Sequence, residues 1–275
     1  MTPTVRERWV TVSGLELFLE DRGSGPAILL SHGMWCDGGM FTDLAKDLAR
    51  DHRVLIPDLR GHGRSAVPAK QWTITQLADD LADLLDAVGV PRVTLLGFSM
   101  GGMAAVDFAL RYGHRLEGLA LVGTSAAAEE LVRVAEIRTL ARLIQLTGQS
   151  RFLAREASKS TFSQGFRKAN ATAVTRWEST VRAMSNPALI HALRAVAGRS
   201  PLLDRLGEIS VPTLVIAGGA DRVLKPRWSQ AMHRRLRHSH LIVYPGVGHA
   251  VPIERPAQLA AVLRGIGRGT ASGAG

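Results

Sequence analysis

The chain has 275 residues, 46% hydrophobic and 21% charged, a globular balance with ample core material for one domain with an insertion or for two small ones. The lone cysteine, Cys36, excludes an intrachain disulfide, and the first residues, MTPTVRERWVTVSGLELFLEDRG, hold neither a signal-peptide core nor a bilayer-spanning run, so the cytoplasm is the expected address. A formal net charge of +10 suggests an anionic partner, but 5% aromatic content is too thin for base-stacking platforms, and neither nucleic acid nor membrane is expected as a partner.

In chain order, residues 6 to 12 and 15 to 21 read as a hairpin and AILLSHG (27 to 33) as a buried strand. A helix over 40 to 50, the strand RVLIPDL (53 to 59) and the amphipathic helix TITQLADDLADLLDAVG (73 to 89) follow. Next come strand 93 to 98, helix 99 to 112 and strand 117 to 123. Between Ser125 and Ser200 every pattern is helical, with twelve basic residues against five acidic ones spread at helical spacing, which reads as a solvated helix face. Strand 212 to 219, helix 227 to 237, strand 241 to 246 and helix 256 to 267 resume the alternation. The fold class is therefore α/β, a mostly parallel central sheet flanked by helices, with an inserted helical cap. Residues 1–124 and 201–267 form the expected core, 125–200 the cap, and 268–275 a disordered tail.

Just past strand 93 to 98 lies GFSMGG, Gly97 to Gly102. A glycine-serine turn is the plain reading of such a stretch. The alternative is a tight strand-to-helix turn holding the Ser99 hydroxyl at its apex, at the carboxyl end of a strand where ligands bind in such sheets. A serine needs a base and an acid that orients the base. Asp221 in AGGADRVLKP and His249 in PGVGHAVPIERP each follow a strand and supply both. The backbone N–H groups of Met100, at a helix start, and Met34, after His32-Gly33, are the candidate oxyanion donors.

These stretches, with SHG at 31 to 33 and PDLRGHGRS at 57 to 65, carry a resemblance: the chain resembles an α/β-hydrolase, in the order Ser, Asp, His. A serine at the elbow is unlike the haloalkane dehalogenase and epoxide hydrolase branches, which use aspartate there. Met100 and Gly101-Gly102 are similar to enol-lactonase-like esterases and to cofactor-free perhydrolases. HGMWCDGGMF resembles the lactonase-like branch, with Phe41 where a tryptophan is common, so a general carboxyl-ester hydrolase is the wider expectation. The resemblance implies hydrolysis of a small-molecule ester or lactone through a Ser99 acyl-enzyme, with no cofactor and no metal. Perhydrolase or acyltransferase chemistry on the same residues, and a non-catalytic binding module on the same scaffold, are the alternatives.

Trp35, Met34, Met100, Phe162 and Trp177 are candidate walls of an acyl pocket. Glu129 or Glu130 is the rival acid to Asp221. His32 reads as a structural residue of the oxyanion loop and His62 as part of a turn stapled by Arg60 and Arg64. His238 and His240 read as the cationic end of a helix rather than as metal ligands. Cys36, with neither elbow nor base, reads as a small apolar residue.

Overall fold

The computed structural model describes residues 5–266; the tail expected at 268–275 lies outside them. Eight strands form one sheet: β1 (Val5–Val12), β2 (Leu15–Gly23), β3 (Ala27–Ser31), β4 (Arg53–Pro57), β5 (Val93–Phe98), β6 (Leu116–Val122), β7 (Thr213–Gly218) and β8 (Ser239–Tyr244). Their spatial order is β1-β2-β4-β3-β5-β6-β7-β8. β1 and β2 pair antiparallel, as do β2 and β4, and every other pair is parallel. The β1–β2 hairpin closes through Ser13 (φ 48°) and Gly14 (φ 76°), the doubly positive φ of a type I′ turn.

The uninterrupted apolar runs of the central strands are explained by what covers them. Leu29, Leu55 and Leu95 point into one core, under α2 (Ile74–Ala87) and α3 (Met100–Arg111). Their neighbours Ile28, Val54 and Leu96 point into the opposite core, under α1 (Thr42–Leu48) and α11 (Pro256–Leu263). Successive side chains alternate faces, so a strand buried on both sides must be apolar at every position. Thr73 starts α2 with a capping box to Gln76, which fixes this helix end.

Between β6 and β7 run five helices, α4 (Leu131–Thr147), α5 (Arg151–Thr161), α6 (Gln164–Ala169), α7 (Ala171–Ala183) and α8 (Asn186–Ala197). Ser150, Ser163 and Ser185 cap α5, α6 and α8 with side-chain acceptors, so hydroxyl residues punctuate the insertion into separate helices. α4 packs on α8 and α5 on α7. Two short helices complete the chain, α9 (Pro226–His233) and α10 (Val251–Glu254). The histidine pair at 238 and 240 departs from expectation: α9 stops at His233, and both residues sit at the entry to β8, where the Thr213 N–H already bonds the His238 carbonyl in the sheet. No helix among the described residues is long and apolar enough to cross a membrane.

Candidate active site

β5 ends at Phe98 and α3 begins at Met100, leaving one residue, Ser99, to make the whole turn. It does so at φ 51°, ψ −115°, a conformation that a side-chain-bearing residue adopts only under constraint. The surrounding glycines supply the constraint. A Cβ at Gly97 would lie 2.6 Å from the Gly101 carbonyl, and one at Gly101 would lie 2.4 Å from the Ser31 carbonyl, so the helix can return this close to the sheet only without side chains there.

Two other strand ends bring partners to the serine. His249 Nε2 lies 3.0 Å from Ser99 Oγ, and His249 Nδ1 lies 2.7 Å from Asp221 Oδ2. The second carboxylate oxygen accepts from the N–H groups of Val223 (2.7 Å) and Leu224 (2.9 Å), so the backbone of the loop after β7 aims the acid at the imidazole. Asp221 and His249 are buried, whereas Ser99 is half-buried and reachable. With Nδ1–H donated to Asp221, the free lone pair of His249 is on Nε2, facing the hydroxyl. This arrangement can take a proton from Ser99 and return it to a leaving group.

Glu129 and Glu130 are occupied elsewhere. Glu129 accepts from Arg199 at 2.6 Å and Glu130 from Arg227 at 3.0 Å. Met34 and Met100 flank the serine in the wall of one cavity, and among the described residues neither backbone N–H donates to a protein acceptor. The N–H of Met100 is the first of α3, an unpaired donor at a helix start.

That cavity, about 340 Å³, is bounded by Ser99 and His249 below and by inner residues of α4, α5, α7 and α8 above. Trp35 and Trp177 line it, together with Ile137, Leu140, Leu153 and Leu193. Phe162 does not: it is buried behind the wall, its ring 5.5 Å from Phe166 and edge-on to Trp177 at 5.6 Å, so its apolar area holds helices together. Cys36 lines the cavity but accepts the Trp177 indole N–H at 3.3 Å, and burial pushes its thiol up to about 12, which leaves it unionised near neutral pH.

His32 and His62 are both buried, with ring centroids 5.2 Å apart. His32 Nδ1 bonds the Gly33 carbonyl and its Nε2 accepts the Leu59 N–H, which pins the loop carrying Met34 to the loop after β4. Burial holds His32 down to about 4 and His62 down to about 3. Both rings are therefore neutral in the folded protein, while the unfolded chain takes up protons below about pH 6.5. Their contribution to stability is complete above that pH and is lost as pH falls toward 4 and then 3, on the order of 3 kcal/mol for His32 alone. Thermal unfolding followed by circular dichroism should show the midpoint dropping over this window in wild type and dropping less in His62→Gln; equal slopes would count against this account.

Glu254, in the same stretch as His249, carries no motif of its own that marks it in the sequence. Its buried carboxylate accepts from the Gly248 N–H (3.1 Å), the Ser163 N–H (2.8 Å) and the Ser163 hydroxyl (2.7 Å). One side chain thus ties the loop of His249 to the junction of α5 and α6. The only signal in the sequence is an acid in a short apolar helix, but its partner Ser163 is 91 residues away and no spacing rule connects the two. Glu254→Ala leaves the buried Gly248 N–H and two half-buried donors of Ser163 without this acceptor, so urea titration should show roughly 2 kcal/mol lost, with Glu254→Gln retaining part of it. Wild-type stability in the alanine variant would refute this role.

Among the described residues no group of three or more His, Cys, Asp or Glu is placed to hold a metal ion. A serine on a strand-to-helix elbow, with a histidine and an acid from later strand ends, on a mostly parallel sheet covered by helices on both faces, is the arrangement of the α/β-hydrolase class. The chain belongs to the α/β hydrolase fold family, whose family model matches residues 26–256. It is similar to a thermophilic esterase from Thermogutta terrifontis, solved with malate bound, at 30% identity and a TM-score of 0.89 over 94% of this chain and 97% of that one. The enol-lactonase of Burkholderia xenovorans superposes with a TM-score of 0.85 at 25% identity, over 94% and 98%. The 3-oxoadipate enol-lactonase 1 of Acinetobacter baylyi is 26% identical over 243 residues, 88% of this chain and 89% of that protein.

Proposed function

We propose that the protein is a serine hydrolase of neutral, apolar carboxylic esters or lactones, with Ser99 as nucleophile, His249 as general base and acid, and Asp221 as the group that orients it. The observation that carries this reading is the unbroken hydrogen-bonded chain from Asp221 through His249 to Ser99, opening on an apolar cavity. Esterase and lactonase relatives support it.

In the first half-reaction Ser99 Oγ attacks the carbonyl carbon while His249 Nε2 takes its proton. The oxyanion that forms is stabilised by the N–H groups of Met34 and Met100. Collapse of the tetrahedral intermediate breaks the bond to the alcohol, which leaves with the proton from His249, and the acyl group stays on Ser99. Water then repeats the sequence and releases the acid. Residues 125–200 act as a cap over this site, and the core is made of 1–124 and 201–267.

The preference for an uncharged substrate follows from the charges around the cavity. Glu129, Glu136 and Glu156 line it, but each already has a cation, Arg199, Arg133 and Lys159 respectively. No lining carboxylate or guanidinium is left unmatched for an ionised substrate group, and the remaining wall is largely apolar. A panel of p-nitrophenyl esters of increasing chain length, neutral lactones and carboxylate-bearing analogues should give the highest kcat/KM for neutral apolar acyl groups. A clear preference for the carboxylate-bearing analogues would reject this substrate class.

A further inference from the structure

The outer side of the insertion is unlike an ordinary surface. α4 buries Ile137, Ala141 and Ile144 on one side, yet Leu131 (87% exposed), Val132 (73%), Leu143 (54%) and Leu146 (74%) face solvent on the other. At about 100° per residue these four share roughly 120° of the helix circumference. The chain then turns through residues 148 to 150 and presents Phe152, 73% exposed, in the first turn of α5. A helix that is apolar on both sides has something to cover its second side.

The charges around this stripe identify what covers it. Arg138, Arg142, Arg151 and Arg155 are exposed on the same two helices, and none of them makes an ion pair among the described residues. The two acids of α4 and α5, Glu136 and Glu156, are each paired, with Arg133 and Lys159. A second copy docked face to face would bring the same four guanidinium groups against each other. Exposed leucine and phenylalanine interspersed with these unpaired arginines along the same two helices instead match the boundary between anionic headgroups and acyl chains.

We propose that the outer face of α4 and the first turn of α5 docks the protein on anionic lipid surfaces. The sequence reads this region as a solvated face with no membrane partner, and the proposal departs from that reading on the strength of the exposed apolar side chains. The position has a consequence for the reaction: the inner sides of the same helices, through Ile137, Leu140, Leu153 and Ala157, form the cavity wall. Arg133, Glu136 and Glu156 both line the cavity and reach solvent, so its mouth opens between the docking helices. Docking would bring that mouth to a reservoir of apolar esters. The docking itself does not depend on the ester reading, because it is read by binding alone.

The test is co-sedimentation of the full chain with vesicles of phosphatidylcholine alone and of phosphatidylcholine mixed with phosphatidylglycerol, at low and high salt. Wild type should bind the mixed vesicles, should release them at high salt, and should leave pure phosphatidylcholine largely unbound. Arg142→Ser with Arg151→Ser should weaken partitioning about thirty-fold, and Leu146→Asp with Phe152→Asp at least about tenfold. Unchanged circular dichroism and unchanged hydrolysis of a soluble ester would establish that both double variants are folded. Equal binding by all three proteins, or no preference for the anionic vesicles, would overturn the proposal. So would a wild-type dimer in solution that the Leu146→Asp, Phe152→Asp protein loses, which would assign the face to a second copy.

Discussion

Asp221→Asn should lower kcat by about 10⁴-fold with KM little changed and the fold intact. The asparagine is nearly isosteric, so it can still accept from the N–H groups of Val223 and Leu224 and hold the loop. What it loses is the charge facing His249 Nδ1 and the certainty of which tautomer the imidazole adopts. If the amide NH₂ faces Nδ1, the proton moves to Nε2, and the ring can no longer accept from Ser99. The imidazolium formed during attack also loses its counter-charge. Glu129→Gln and Glu130→Gln act as internal controls, because their carboxylates bond Arg199 and Arg227 rather than the histidine. Steady-state kinetics on the best ester of the panel separate the two cases. A near-normal Asp221→Asn beside a collapsed glutamate variant would transfer the orienting role to the start of the insertion.

Ser99→Ala should cost still more, about 10⁶-fold in kcat, since without Oγ no acyl-enzyme can form. A remnant of about 10³-fold over the uncatalysed rate persists, supplied by the oxyanion donors and by binding. The variant should not be less stable than wild type through lost packing, because only a half-buried hydroxyl is removed. The strained φ of 51° at this position persists with alanine, so equilibrium unfolding should be nearly superimposable. Retention of most of the wild-type rate would show that the hydroxyl at the elbow is not the nucleophile.

Much of the layout can be read from the sequence because its signals are local. AILLS, RVLIP and VTLLGF each combine an apolar run with a turn-forming exit, and all three are buried strands in the sheet. Ser99, Asp221 and His249 stand at strand ends in short motifs, and a parallel sheet brings such ends to one edge. Non-local arrangements are not written this way. Phe162 belongs behind the cavity wall, and only the packing of α6 and α7 around it decides that. Glu254 works through Ser163, far away in the chain. The stripe from Leu131 to Phe152 looks, as sequence, like core-facing residues of amphipathic helices. Its exposure depends on which side of α4 meets α8, a question of tertiary packing that periodicity leaves open.

Covalent trapping tests, without any knowledge of the substrate, whether Ser99 is the nucleophile activated by His249. A fluorophosphonate adds to an activated serine hydroxyl, with loss of fluoride, and does so far more slowly to an ordinary one. Intact-mass spectrometry followed by peptide mapping should find one equivalent of label on Ser99 in wild type, none in Ser99→Ala, and much slower labelling in His249→Ala. Label absent from Ser99 under these conditions, or equally fast labelling without His249, would contradict the account.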